Sequence, residues 1–314
     1  MRLATFAHDG GARAGVVVGD SLHPLPVGVT VVDLIAQDAL HDAGTMAERA
    51  PAVPLESVRL LPPLTPPSIR DFVTFEEHVE GIARRFGDEI VPEWYEAPTF
   101  YFTHPQALIG AYDEVPVPPG CHAFDFELEV AAVVGRPGRD LTPEKARDHI
   151  VGYTIFNDWS ARDLQAREMR VQLGPAKGKD GASTLGPWLV TADEIQDCRD
   201  ADGFLDLTMT VTRNGERIGS DTLANMAWTF EEMLAYASRG TWVRSGDVLG
   251  SGTCGSGCLA ELWGRRGSLD PRPLTPGDVV TMSVERLGTI SNTVVSGTMP
   301  VPVPQARKKP GTGR

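Results

Sequence analysis

The sequence predicts a mainly β chain with a few helices, an α+β fold in which a small N-terminal domain precedes a larger β-rich one. Three observations predict this. Short runs of β-branched and aromatic residues recur between glycine, proline and asparagine turn signals. Few strand–helix–strand alternations are present to build a parallel sheet. A proline-dense run near residue 65 divides the chain.

Residues 2–6, 14–18 and 21–25 alternate as a small antiparallel meander would. A helix is expected over 31–49, where Leu34, Ile35, Ala39, Leu40 and Ala43 fall near helical spacing. Pro62, Pro63, Pro66 and Pro67 then exclude helix and central strand, so this run reads as an extended linker. The boundary is placed there: 1–65 as the N-terminal domain, 66–300 as the main domain. The Pro/Gly-rich basic tail, 301–314, is expected to be disordered. Within the main domain, strands are expected at 97–102, 124–134, 150–157, 187–191, 205–213, 247–251 and 279–284. Asn214-Gly215 reads as a tight hairpin turn. Helices are expected at 74–86, 160–169 and 229–238.

The 314 residues are 41% apolar and 23% charged, ordinary for a globular protein. The formal net charge of −13 would repel nucleic acid and anionic membrane surfaces, so neither is expected as a partner. No apolar run approaches the roughly 20 residues of a membrane span, and the first ten residues do not read as a signal peptide. Cys121, Cys198, Cys254 and Cys258 lack the spacing of a zinc site and are read as reduced thiols in a cytoplasmic protein.

Residues 124–134 carry the strongest chemical signal. Alternation puts Phe124, Phe126, Leu128, Val130, Ala132 and Val134 on one face, and Asp125, Glu127, Glu129, Ala131 and Val133 on the other. A half-exposed strand with a solvated acidic end would read the same way. However, three carboxylates in a row repel one another, and they border a stretch apolar on both faces. Desolvating unpaired carboxylates costs on the order of several kcal/mol each, so they call for cations. Asp158 ends the strand 150–157, and Ser160 with Asp163 reads as a capping pair opening the next helix, leaving Asp158 free for a ligand. An oxygen-only set favours Mg²⁺ or Ca²⁺ over zinc or copper.

The blocks Phe126-Glu127-Leu128-Glu129 and Asn157-Asp158-Trp159-Ser160-Ala161-Arg162-Asp163-Leu164-Gln165 resemble the central motifs of the fumarylacetoacetate hydrolase family. Residues 173–179 and 183–188 are similar to the next family block, and the resemblance runs from about Ile69 to Val295. It implies a mixed β-sandwich roll or barrel catalytic domain behind a small α/β domain, and a homodimer. It implies metal ligands at Asp71, Glu127, Glu129 and Asp158, for Mg²⁺ with Ca²⁺ or Mn²⁺ as substitutes. Asp125 drops out of the ligand set. It further implies a catalytic His78 with Glu261 as acidic partner, Lys179 as an oxyanion holder, and Gln165 and Thr253 near the substrate. Arg162 matches a structural position.

The implied reaction is hydrolysis of a carbon–carbon bond in a 1,3-diketone or acylpyruvate-type substrate, with His78 activating water and a divalent cation stabilising the enolate that leaves. The alternative on the same scaffold is an isomerase, tautomerase or decarboxylase of a keto acid. A non-catalytic metal-binding protein is the remaining class. Two departures bear on this. Met169 stands where fumarylacetoacetate-cleaving members have tyrosine. Gly81 stands three residues after His78, where smaller oxaloacetate-acting members have a lid glutamate. The helix 74–86 is expected to act as a mobile lid.

Overall fold

A computed structural model describes residues 1–307 of the chain. Arg2–His8, Gly11–Val18 and Ser21–Pro24 pair antiparallel as the alternation predicts, and Leu3, Val16 and Leu22 are buried. The meander does not stand apart from the rest. Arg2 and Leu3 also pair with Val190 and Leu189, so these strands extend the main sheet.

That sheet has twelve strands. Its central members are Ser183–Thr191, Ile150–Asp158 and Leu128–Val134, mutually antiparallel. Val248–Gly250 follows antiparallel, then Ile69–Phe72 runs parallel to it, and Phe100–Thr103 closes the edge. Leu128–Val134 is buried throughout, because the helices and meander side cover one face and a second sheet covers the other. The second, five-stranded sheet is built on Thr208–Arg213, Glu216–Thr222, Val279–Val284 and Gly288–Val295. Its Met209, Val211, Val280 and Met282 share one core with Leu128, Val130 and Ala132. Helix accounts for 24% of the chain, consistent with the mainly β α+β class, and among the described residues no sheet closes into a barrel. No helix among these residues is long and apolar enough to cross a membrane.

The Asn214-Gly215 turn forms as expected, with φ of 54° and 81° joining the two strands on either side. The helix 229–238 forms as Phe230–Ala237, opened by a Thr229–Glu232 capping box. Residues 301–307 carry no regular structure and are exposed, and the rest of the expected disordered tail lies outside the described residues.

Three local expectations are corrected. The helix 31–49 is two helices, Val31–Ala36 and Leu40–Ala47. Asp38 takes the left-handed conformation at φ 54°, and the Ala39 N–H turns back to Leu34 O, which ends the first helix. The strand 124–134 is interrupted at Phe126 and Glu127. Their N–H groups are taken by side chains, Asp125 Oδ1 at 2.8 Å and Asn157 Oδ1 at 3.0 Å, in place of ladder carbonyls. Ser160 does not cap the helix Arg162–Met169. It lies in a short strand pairing with Asp125, and its hydroxyl donates to Asp158 O at 3.0 Å. Asp163 instead accepts from the His122 and Ala123 N–H groups.

Candidate metal centre and active site

The break at residues 126–127 separates three carboxylates that simple alternation would align. Asp125 turns toward the helix Leu259–Arg266 and accepts its first two N–H groups, Leu259 at 2.8 Å and Ala260 at 3.0 Å. Arg162 Nε donates to the same carboxylate at 2.9 Å, so Asp125 is fully occupied as a structural cap. Glu127 and Glu129 point the other way, toward Asp71 on the strand Ile69–Phe72, one strand beyond Val248–Gly250.

One oxygen each of Asp71, Glu127 and Glu129 lies within 4.8 Å of the others, and all three residues are buried. Asp158 sits beside them at the end of its strand, and Lys179 Nζ donates to it at 2.7 Å and also to Glu127. Arg162 Nη2 meets Glu127 Oε1 at 2.7 Å. Four buried carboxylates therefore share one lysine and one arginine that Asp125 also claims. Among the described residues, Asp71 Oδ1 and Glu129 Oε1 have no hydrogen-bond partner. Gly250 permits this crowding, since a Cβ there would stand 2.6 Å from Asp71 Oδ1 and 3.0 Å from Glu129 Oε2.

The electrostatics follow from this shortage of positive charge. Burial, reinforced by Asp158, pushes the Asp71 carboxyl up to about 8. Burial and Asp71 push Glu129 well above the usual carboxylate range. Burial also raises Glu127, but Lys179 and Arg162 outweigh it and hold it below its ordinary value. Burial disfavours the Lys179 ammonium, which Asp158 and Glu127 more than offset, so it stays charged. Orphaned, crowded, oxygen-only donors fit a hard divalent cation.

His78 stands on the helix Glu76–Phe86, and its Nδ1 lies 2.8 Å from Glu261 Oε1 on the helix Leu259–Arg266. Glu261 Oε2 accepts from the Ser256 N–H at 2.8 Å and from Arg265 at 3.2 Å, which fixes the carboxylate. His78, Glu127, Glu129, Asp71 and Lys179 line one cavity of about 520 Å³. Thr253 and Gln165 line it too, and Gln165 Oε1 accepts from Arg162 at 3.3 Å, leaving its amide NH₂ for the cavity. The sequence-predicted residues thus converge on one pocket, with Asp158 behind Lys179 and Glu261 behind His78.

Two contributors were missed from sequence. Tyr101, at the sheet edge, donates its hydroxyl to Asp71 Oδ2 at 2.7 Å and also reaches Asp158. Its only signal is a lone hydroxyl in the run Phe100-Tyr101-Phe102. Cys258 contacts both His78 and Glu261, at 3.8 and 3.7 Å, and nothing in the spacing foretells that.

The profile described as fumarylacetoacetate (FAA) hydrolase C-terminal matches residues 68–295. The chain belongs to the fumarylacetoacetate hydrolase family. An Rv2993c-like N-terminal profile matches residues 1–63 of this family member. It is 30% identical over 253 residues to human oxaloacetate tautomerase FAHD2A, mitochondrial, covering 80% of this chain and 74% of that one. It is 30% identical over 285 residues to the fumarylacetoacetase of Arabidopsis thaliana, covering 73% and 67%. The solved fumarylacetoacetate hydrolase of Exiguobacterium antarcticum superposes with a TM-score of 0.73 at 28% identity, covering 94% of this chain and 99% of that chain. Enzymes of this family thus include a hydrolase and a tautomerase among the relatives.

Proposed function

We propose that the chain is a Mg²⁺-dependent hydrolase that cleaves a carbon–carbon bond in a 1,3-diketone or acylpyruvate-type substrate. The observation that carries this reading is the buried His78–Glu261 pair at 2.8 Å, whose histidine lines the carboxylate-walled cavity. Asp71, Glu127 and Glu129, with Asp158 adjoining, would hold the cation. Bound there, it supplies Lewis-acid polarisation of the substrate's paired oxygens.

The protein's own groups supply the rest. Nδ1 of His78 is engaged by Glu261, which leaves Nε2 to take a proton from water as its oxygen adds to a carbonyl carbon. Glu261 orients the ring and stabilises the imidazolium. Lys179 has three N–H groups and commits two of them to Glu127 and Asp158, so the third is free for the developing oxyanion. When the carbon–carbon bond breaks, the His78 proton passes to the departing carbon. Met169, Ile82, Ala166 and Arg170 line the same cavity. They fit a substrate whose far end is apolar and finishes in a carboxylate.

The cation is taken as Mg²⁺, and the oxygen donors would also accept Mn²⁺ or Ca²⁺. The boundary near residue 65 remains part of the proposal, with 1–65 as an N-terminal domain. A second reading, a keto-acid tautomerase, is favoured by the 30% identity to proteins described as oxaloacetate tautomerases. In that case the same pair would move a substrate proton and no water would add. His78→Ala is the direct test. Turnover of an acylpyruvate should fall on the order of 10²–10⁴-fold while calorimetric Mg²⁺ binding persists. Undiminished hydrolysis would sink the hydrolase assignment.

A further inference from the structure

Two chemically different donor groups meet at His78, one lining the cavity and one buried behind it. The carboxylate group offers oxygen only. Behind the cavity wall, His78 Nδ1, Glu261 Oε1 and Cys258 Sγ form a closed triangle with edges of 2.8, 3.7 and 3.8 Å, and all three residues are buried. A tetrahedral zinc ion with its usual bond lengths needs edges of about 3.4 Å between nitrogen and oxygen and about 3.6 Å from sulfur to either. Both sulfur edges already match that requirement. The nitrogen–oxygen edge has to open by about half an ångström, since an ion would replace the hydrogen bond across it. The donors are one nitrogen, one sulfur and one oxygen, which suits borderline-soft cations and gives Mg²⁺ no reason to bind.

We propose that Cys258, His78 and Glu261 form a Zn²⁺ site that switches off the catalytic pair, separate from the hard-cation site. Its inhibitory effect rests on the catalytic reading of His78, whereas its existence as a binding site does not. The step needs no redox partner. Zn²⁺ bonds to Cys258 Sγ as the thiol proton leaves to solvent, and to the Nδ1 lone pair of His78. For that the ring carries its proton on Nε2, so Nε2 can no longer accept one from water. Glu261 Oε1 becomes a ligand in place of its hydrogen bond to the ring. Water completes the tetrahedron, and the ion would enter by displacing the His78 ring, which lines the cavity in front of the fully buried Cys258 and Glu261.

Co²⁺ is the probe, because a thiolate–cobalt bond gives a near-ultraviolet charge-transfer band that oxygen ligands do not. Chelator-stripped full-length protein, with Mg²⁺ in excess, should develop this band on Co²⁺ titration and lose it to added Zn²⁺. Cys258→Ser should abolish the band, while Cys254→Ser, at a neighbouring buried thiol, should keep it. Zn²⁺ should inhibit the parent, and the half-inhibiting concentration, normalised to each variant's own turnover, should rise at least tenfold in Cys258→Ser. Absence of the band, or its survival in Cys258→Ser, overturns the site. A Cys258-dependent band with undiminished turnover overturns the inhibitory claim alone, and the fault then lies in the role given to His78, which the alanine variant tests separately.

Discussion

Gly81 faces Glu261 across two packed helices, so closely that a Cβ built on it would stand 3.0 Å from Glu261 Cγ and 3.3 Å from Glu261 Cβ. Gly81 lies one helical turn from His78, on the face that carries the histidine to its carboxylate. The glycine that departs from the lid motif of smaller family members therefore has a structural use of its own. It lets the helices approach until Nδ1 and Oε1 meet.

Gly81→Ala should separate activity from stability. Alanine favours helix by about 1 kcal/mol over glycine, which offsets the steric penalty, so the melting temperature should move by only a few degrees. Glu261 cannot yield freely, because His78, Ser256 and Arg265 hold its carboxylate. Displacement of the pair should lower kcat by roughly tenfold or more, with Mg²⁺ affinity unchanged. Steady-state kinetics alongside thermal melts would show this.

How much of this was legible beforehand differs by element. Glu127, Glu129 and Asp158 could be named because strand period and motif coincide, and the meander followed from plain alternation. The break at residues 126–127 could not be read, since it depends on Asn157 and Asp125 side chains replacing ladder carbonyls. The capping pair at Ser160 failed for the same reason: a tertiary strand partner overrode a local signal. The strand Gly288–Val295 was missed because Thr289, Ser291 and Thr293 alternate with buried Ile290, Asn292 and Val294, a pattern short of apolar residues. Tyr101 joins Asp71 to Asp158 across residues distant in sequence, and no local pattern encodes such a contact.

Glu129→Gln should weaken the cation and strengthen the fold at once. Glu129 is fully buried with one oxygen lacking a partner. In chelated solution at neutral pH, folding must bury this carboxylate or protonate it against its unfolded-state preference, and Gln removes that cost, so unfolding free energy should rise by roughly 1–4 kcal/mol. Calorimetry should find Mg²⁺ affinity reduced at least tenfold, and the stabilisation that Mg²⁺ gives the parent by mass action should shrink accordingly. A variant less stable than the parent without metal would mean that Glu129 is already well paired.

Arg170 lines the cavity beside Met169, with no ion-pair partner among the described residues. Arg170→Ala should raise KM about tenfold for substrates ending in a carboxylate and leave it nearly unchanged for neutral ones of equal length, with kcat preserved. Equal effects on both substrate types would remove Arg170 from substrate selection.

Hydrolysis through His78 is tested most directly by turning over an acylpyruvate in ¹⁸O-labelled water with Mg²⁺ present and weighing the products. One label should enter the newly formed carboxylate in the parent, and the cleavage products should nearly vanish in His78→Ala. Substrate that tautomerises or loses CO₂ without a labelled new carboxylate would contradict the account.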